Sequence, residues 1–427
     1  MPMLDPSFKA PLVALKQYPV NLFIPKSLPG SVGASSAASV FVSAVIPTYK
    51  PPQELKALVR TLLSHPCVRQ VVVVDDATPP GEEDFFASLS HIAAVLGRSA
   101  DFTLLHLKTN SKRAGAVNRG LAALRYPPGP PHDILVLDDD VMLAVNAISS
   151  LIQALHASEY LGAVCTQARV CNRHENIFTR LQGLEYVGFN VARVADRGFL
   201  LGPLIMHGLA SLIRSTVLIN EVKGYDQSQL LEDYDLTVRM KSRGYHVALA
   251  DAAIAGTVVP STFGQLWRQR VRWQYGGLRV VESHWRKMLA VLPDVLSHML
   301  TLALLSAILV SLVWHQSGNG ESTLITVIRT TSIGMSVVFY ITQLVITLLL
   351  DKGKDWLDVA MRTLLIPELL YSMVLSFVLF GSYIFFIYMI FRGRLGAVVT
   401  GRAVHKIFGY FDSWFRLFGY TTTWGTK

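Results

Sequence analysis

"VRQVVVVDD", residues 68–76, sets four valines in a row ahead of two aspartates. β-Branched side chains suit the pleated chain better than a helix. An apolar run without polar alternation fits a strand covered on both faces, the habit of parallel sheets. The carboxylates then fall at the strand's end. Similar runs occur in "FVSAVIPTY" (41–49), "FTLLHLK" (102–108) and "DILVLDDD" (133–140). Helical periodicity fills the intervals near Gln53–Ser64, Ala114–Arg125 and Ala144–His156. Strands alternating with helices of about 10–15 residues predict an α/β fold with a mostly parallel sheet. In such sheets ligands collect beyond the carboxyl ends of the strands. Those ends carry Thr48, Tyr49, Asp75, Asp76, Asp138, Asp139 and Asp140, and a site is expected among them.

The rest of the chain is organised differently. Of 427 residues, 51 % are hydrophobic and 16 % charged, whereas soluble domains carry about a quarter charged residues. The apolar excess gathers after residue 288. Val295–Trp314, Thr330–Leu350 and Leu369–Phe391 are 20, 21 and 23 residues long and contain no Asp, Glu, Lys or Arg. Each is long enough to span a bilayer, which takes about 20 residues. Four regions follow: an N-terminal extension and linker (1–40), a catalytic domain (41–287), a helical transmembrane domain (288–391) and a basic amphipathic tail (392–427). "SVGASSAAS" (31–39) has the composition of a flexible linker. "PLVALKQYPVNLFIPKSLPG" is broken by Lys and Pro and reads neither as a signal peptide nor as a span.

A net charge of +9 beside a membrane domain favours an anionic membrane surface or a phosphorylated substrate, and no nucleic acid is expected. The three cysteines, Cys67, Cys165 and Cys171, form no CxxC and no Cys/His cluster. That fits a reducing, cytosol-facing domain.

No GxGxxG follows the first strand and no GxxxxGK[ST] occurs, so the usual phosphate cradles are missing. A nucleotide would need another phosphate partner, and Mg²⁺ or Mn²⁺ held by carboxylates is the natural one. Asp138 and Asp140, two apart at a strand end, share one side of an extended chain. "LLEDYDLTVRM" (230–240) crowds Glu232, Asp233 and Asp235. Acids suit a helix's first turn, so helix initiation and catalysis both remain open. At about 100° per residue, Asp233 and Asp235 point to nearly opposite sides, and only one can face a given cleft. "FGQLWRQRVRWQYGG" (263–277) is dense in Arg, Gln and Trp. Guanidinium groups grip phosphates by paired hydrogen bonds, and a Trp face such as Trp273 stacks on a sugar ring or a base.

Taken in order, these motifs resemble those of the family 2 glycosyltransferases, and more narrowly the membrane-integrated cellulose, chitin and hyaluronan synthases. The likeness runs over residues 41–290 and is weaker in the spans and tail. It implies a GT-A catalytic domain with a Rossmann-like sheet. "VIPTYK" and "VVVVDDATP" imply that Thr48, Tyr49 and Asp76 lie near the uridine. "NSKRAGAVNRGL" places Lys112 near the diphosphate. "LDDDVM" matches a DxD motif, with Asp138 and Asp140 as donor and metal ligands. The acidic pair of "LLEDYDL" makes Asp233 the general base, with Glu232 and Asp235 as helix-start and supporting residues. "QRVRW" is a complete QxxRW motif, implying Arg272 at the diphosphate and Gln269 and Trp273 at the acceptor. "LIMHGLASLIRS" (204–215) implies acceptor contacts at His207 and Gly208.

The implied protein is a multi-pass membrane glycosyltransferase, a hexosyltransferase whose catalytic domain faces the cytoplasm. It would use Mg²⁺ or Mn²⁺ to move sugar from a UDP-sugar to a glycan or lipid-linked acceptor, building a polysaccharide or oligosaccharide among membrane lipids. A homo-oligomer is left open. The alternative enzyme transfers a single sugar to a lipid carrier such as a polyprenyl phosphate, against which QxxRW argues. A non-catalytic transporter or scaffold is opposed by the intact motif acids. One departure from the synthases is that no span is read ahead of the catalytic domain. The ending "FGYTTTWGTK" resembles that of the hyaluronan synthases, with Lys427 in place of their usual Arg. Six basic residues against one acid in the tail suggest a cytosolic Lys427 and a re-entrant rather than crossing third apolar segment.

Overall fold

The computed structural model describes residues 40–195, 201–286, 291–292, 295–300, 302, 306, 313, 323–351, 353–364, 366–398 and 402–421. The extension and linker up to residue 39, most of the expected span Val295–Trp314, and Lys427 lie outside the described residues.

The valine-rich segments are strands. They are β1 (Phe41–Thr48), β2 (Val68–Asp75), β3 (Phe102–His106) and β4 (His132–Leu137). Between them lie α1 (Glu54–Ser64), α2 (Glu83–Val95) and α3 (Lys112–Ala122). β3, β2, β1 and β4 pair in parallel in that spatial order, with Thr48 opposite Asp75. Their carboxyl ends therefore meet on one edge.

Four more strands complete an eight-stranded sheet: β5 (Met142–Leu143), β6 (Leu161–Val170), β7 (Ala210–Arg214) and β8 (His246–Thr257). The order is β3-β2-β1-β4-β7-β6-β8-β5, and β7 runs antiparallel to both its neighbours. β5 is also antiparallel to β8, so the sheet is mixed but mostly parallel. The expected α/β class holds, on a larger frame than the four strands read from sequence.

Alternation along β1 explains both cores. Val42, Ala44 and Ile46 pack with α1, α2 and α4 (Ala147–Leu155) on one face. Val45 points to the other, against α3 and α6 (Glu232–Lys241). Each such Val, Leu or Ile contributes roughly 1.5–3 kcal/mol when fully buried. Gly120 brings α3 hard against the sheet. A Cβ there would fall 2.5 Å from Val45 Cγ1 and 3.1 Å from Val74 Cγ2.

α5 (Ile177–Ala195) and α7 (Phe263–His284) join this body to the C-terminal helices α8 (Thr323–Leu350), α9 (Trp356–Thr363), α10 (Ile366–Val398) and α11 (Arg402–Leu417). The expected third apolar segment lies within α10, which extends beyond it at both ends. Ile366–Leu395 is the one helix among the described residues long and apolar enough to cross a membrane. Expected span Thr330–Leu350 falls in α8.

Buried ion pairs fasten the two parts. Arg173, just past β6, grips both oxygens of Asp351 at 2.9 and 2.5 Å and reaches Asp358 at 3.1 Å. Arg180 on α5 bonds Asp355 at 2.7 Å and Asp358 at 3.1 Å. Asp355 also caps α9 reciprocally with Asp358, leaving the Asp358 carboxylate surrounded by donors. Arg270 on α7 binds Glu185 on α5 and the Tyr371 hydroxyl on α10.

Candidate active site

The parallel edge of the sheet delivers the acids. Asp76 follows β2, and its N–H donates to the Thr48 carbonyl at 2.8 Å. Its Oδ1 accepts from the N–H and hydroxyl of Ser111, both at 2.7 Å, which anchors the start of α3. Three non-glycine residues at these chain ends, Lys50, Ala77 and Lys112, have φ of 54°, 62° and 60°. Left-handed backbone costs such residues about 1–2 kcal/mol each, and strain of this kind gathers at functional sites.

Asp138–Asp140 do not continue β4, which ends at Leu137. The alternation used to pair Asp138 with Asp140 therefore no longer applies, and the three carboxylates take three partners. Asp138 accepts from Arg113 at 2.7 Å, Asp139 from the Thr48 hydroxyl at 2.7 Å, and Asp140 from the Thr257 hydroxyl at 3.2 Å.

Arg113 joins the two acidic motifs. It is the second residue of α3, and its three nitrogens diverge. Nε donates to Asp138, Nη1 to Glu232 at 2.9 Å and Nη2 to the Gly208 carbonyl at 2.8 Å. Burial alone would ease its proton off, but Asp138 and Glu232 outweigh that and hold it charged. Gly208 fits because a Cβ there would lie 2.9 Å from Nη2. Glu232, expected as a helix-start and supporting residue, faces the cleft through this guanidinium.

Asp233 lies beside it. Its Oδ2 accepts from the Gly208 N–H at 3.0 Å and its Oδ1 from the Tyr234 N–H at 2.8 Å. Burial, and then the neighbouring Glu232 charge, push its carboxyl up to about 6, with Arg113 pulling the other way. Asp235 turns into the protein, fully buried, and accepts from Arg239 at 2.6 Å and His284 at 2.7 Å. His207 donates from Nε2 to the Thr166 carbonyl at 2.5 Å, and its buried Nδ1 has no partner among the described residues. Burial, followed by Arg193, pushes it down to about 3, so the ring is neutral.

Other expected residues stand further from this junction. Tyr49 lies under the Lys50 ammonium, 5.4 Å from ring centroid to Nζ. Lys112 opens α3 with an exposed side chain, and Arg272 is exposed on α7. In both motifs a neighbouring cation is the one turned inward. Beside Lys112 that is Arg113, and two residues before Arg272 it is Arg270. Arg270 donates to Gln269 Oε1 at 2.9 Å and lies 4.2 Å over the Trp273 ring. Sequence reasoning passed over Arg113 and Arg270, and gave Glu232 a helix-start and supporting place. The only signal for them was a second charge beside each residue already chosen.

His174, Asp355 and Asp358 also bring three potential ligand atoms together. Arg173 and Arg180 already pair with its two aspartates, and it lies at the joint with the C-terminal helices.

The sheet and its acid-bearing edge define a glycosyltransferase of the GT-A type. The family description "Glycosyltransferase like family 2" matches residues 39–276, and the chain belongs to that family. It is 26 % identical over 214 residues to the poly-beta-1,6-N-acetyl-D-glucosamine synthase of Staphylococcus aureus, covering 50 % of this chain and 48 % of that one. The Staphylococcus epidermidis enzyme of the same name is 25 % identical over the same length. The chain thus spans about half the length of the curated relatives it matches. Among solved structures, the mannosyltransferase PcManGT from Pyrobaculum calidifontis, in complex with GDP-Man and Mn²⁺, superposes with a TM-score of 0.55 at 18 % identity. That superposition covers 84 % of this chain and 95 % of the other, and it speaks for the fold.

Proposed function

We propose that this protein is a membrane-bound, inverting glycosyltransferase that moves a sugar from a UDP-sugar to a growing polysaccharide or oligosaccharide chain. One observation carries the reading: a single guanidinium, Arg113, holds Asp138 of the strand-end acids and Glu232 of the α6 acids, with Asp233 at its side. Donor and acceptor chemistry then share one small space.

In this reading Asp233 is the base. A carboxylate near 6 is ionised at neutral pH yet basic enough to accept a proton in the transition state. The acceptor hydroxyl gives its proton to Asp233 as its oxygen bonds the anomeric carbon, the C–O bond to phosphate breaks, and UDP departs. The configuration at that carbon inverts. Asp233 is held for this by the Gly208 and Tyr234 N–H groups. In this reading Thr48, Tyr49 and Asp76 take the uridine, and Lys112 and Arg272, both exposed, take the diphosphate. His207 Nδ1, Gly208, Gln269 and Trp273 form the acceptor side.

Asp138 and Asp140 offer hard carboxylate oxygens suited to Mg²⁺ or Mn²⁺. Asp138 and Glu232 share one guanidinium with Asp233 beside them, a surplus of carboxylates that fits a cation there. Such an ion would supply charge stabilisation for the departing diphosphate.

Exposed apolar side chains on α10, among them Leu369, Phe377 and Phe391, support a membrane setting. Membranes from expressing cells, given a panel of UDP-sugars with and without Mn²⁺, should release UDP with one sugar and yield a product of many sugars. A product carrying one sugar on a lipid would replace polymer synthesis by single transfer. No UDP release with any donor would end the proposal.

A further inference from the structure

α11 (Arg402–Leu417) is divided into three faces. At about 100° per residue, Phe408, Asp412 and Phe415 fall on one side. Phe408 and Phe415 meet the Tyr388 ring, and Asp412 accepts from the Tyr388 hydroxyl at 2.7 Å and pairs with Arg392 at 3.1 Å. This side is packed against α10. A second side carries Ile407, Tyr410, Trp414 and Leu417, which are 56, 72, 47 and 82 % exposed. The third carries Lys406, Gly409, Ser413 and Arg416, all exposed.

Helices of soluble proteins seldom leave a whole apolar stripe uncovered. Its surroundings say what covers this one. The only acid of α11, Asp412, is turned inward onto Arg392, so the exposed charge of the helix is purely positive. Tyr and Trp on the apolar side have the amphipathic rings favoured where hydrocarbon meets water. α10, to which the packed side is fixed, exposes Phe377, Ile384 and Phe391 along a segment of span length. An apolar face beside a cationic face, attached to an apolar helix, is the signature of a helix lying in a bilayer surface.

We propose that α11 lies in the surface of a bilayer, with the Ile407–Leu417 stripe between acyl chains and headgroups and Lys406 and Arg416 against anionic lipid phosphates. This rests on the membrane setting of the proposed function. It goes further in assigning α11 as the element that sets the height of the catalytic domain. Phe418, just past the stripe, accepts at its carbonyl from the Trp267 indole N–H at 2.8 Å. Trp267 is two residues before Gln269, so α11 touches α7 next to the QxxRW residues.

The test uses full-length protein reconstituted in bilayers of phosphatidylcholine containing phosphatidylglycerol. Nitroxide labels are placed singly at Trp414→Cys, Ser413→Cys and Phe377→Cys in a background with Cys67, Cys165 and Cys171 replaced. Contact with oxygen and with a water-soluble nickel chelate reports depth. The expected result puts the label at 414 about 5–10 Å inside the headgroup boundary, and the label at 413 in contact with the chelate. Equal chelate contact at 413 and 414, with 377 in lipid, overturns the proposal and leaves the membrane setting standing. Chelate contact at all three overturns both. A label at 414 shielded from oxygen and chelate alike also overturns it, because a second protein copy then covers the stripe. Should Trp414→Cys fail to fold, Tyr410→Cys reports the same face.

Discussion

Two aspartates, Asp233 in the cleft and Asp355 at the joint with the C-terminal helices, sit at opposite ends of the carboxylate range. Burial pushes both upward. At Asp233 the adjacent Glu232 adds to that push, and the carboxyl stands at about 6. At Asp355 the Asp358 N–H and the Arg180 guanidinium outweigh burial and bring it down to about 2. In the joint each acid meets donors arranged around it, and Arg173 and Arg180 answer Asp351, Asp355 and Asp358. In the cleft one guanidinium is divided between Asp138 and Glu232. Carboxylates surrounded by donors fix a structure. A buried carboxylate beside a like charge is ready to take a proton.

The largest expected effect lies in the joint. Asp351→Ala takes both Asp351 hydrogen bonds from the buried Arg173, leaving it Asp358, and should cost up to about 3–5 kcal/mol, read as a lower midpoint of thermal unfolding. Turnover of the protein that remains folded should be unchanged, and a specific loss of turnover would break the division of labour. In the cleft, Asp233→Asn should lower turnover by at least about a hundredfold with unfolding unaltered. Near-normal turnover there would remove Asp233 as the base.

A pH profile sharpens the comparison. The base acts as its carboxylate, so kcat/KM should fall as pH drops through about 6. Glu232→Gln removes the like charge that helps raise Asp233, and should move this acid limb to lower pH. A limb that stays in place would assign it to another group. The smallest effect is expected at the link between regions. Trp267→Phe deletes one hydrogen bond, worth about 1 kcal/mol or roughly fivefold. It should appear in the KM for acceptor and leave the KM for donor alone.

The first half of the sheet was legible because β1, β2 and β4 are apolar runs stopped by polar residues. β6 was not, because "LGAVCTQARV" carries Thr166, Gln167 and Arg169 in a strand buried along its whole length. β8, "HVALADAAIAGT", is rich in alanine, which has little strand preference. The motif acids were legible as a set, but their partners were not. Which of two adjacent cations turns inward depends on where a helix begins, and α3 begins at Lys112. The same helix start turns Arg113 toward Asp138. The apolar tail segments were legible by length alone, whereas the folding back of α11 along α10 depends on contacts between distant residues such as Phe385 and Tyr420.

Gly120 gives α3 a mechanical character. The helix rests at that point on the Val45 and Val74 side chains of β1 and β2 with no side chain of its own between, and Arg113 extends from the same rod seven residues away, about 10 Å at 1.5 Å per residue. The glycine is a fulcrum and the guanidinium the far end of the lever. A methyl group at position 120 would act as a wedge, tilting the rod and swinging Arg113 off Asp138 and Glu232 without altering any group that touches substrate. Sensitivity to substitution in this enzyme therefore extends along α3 to a buried contact where no chemistry takes place.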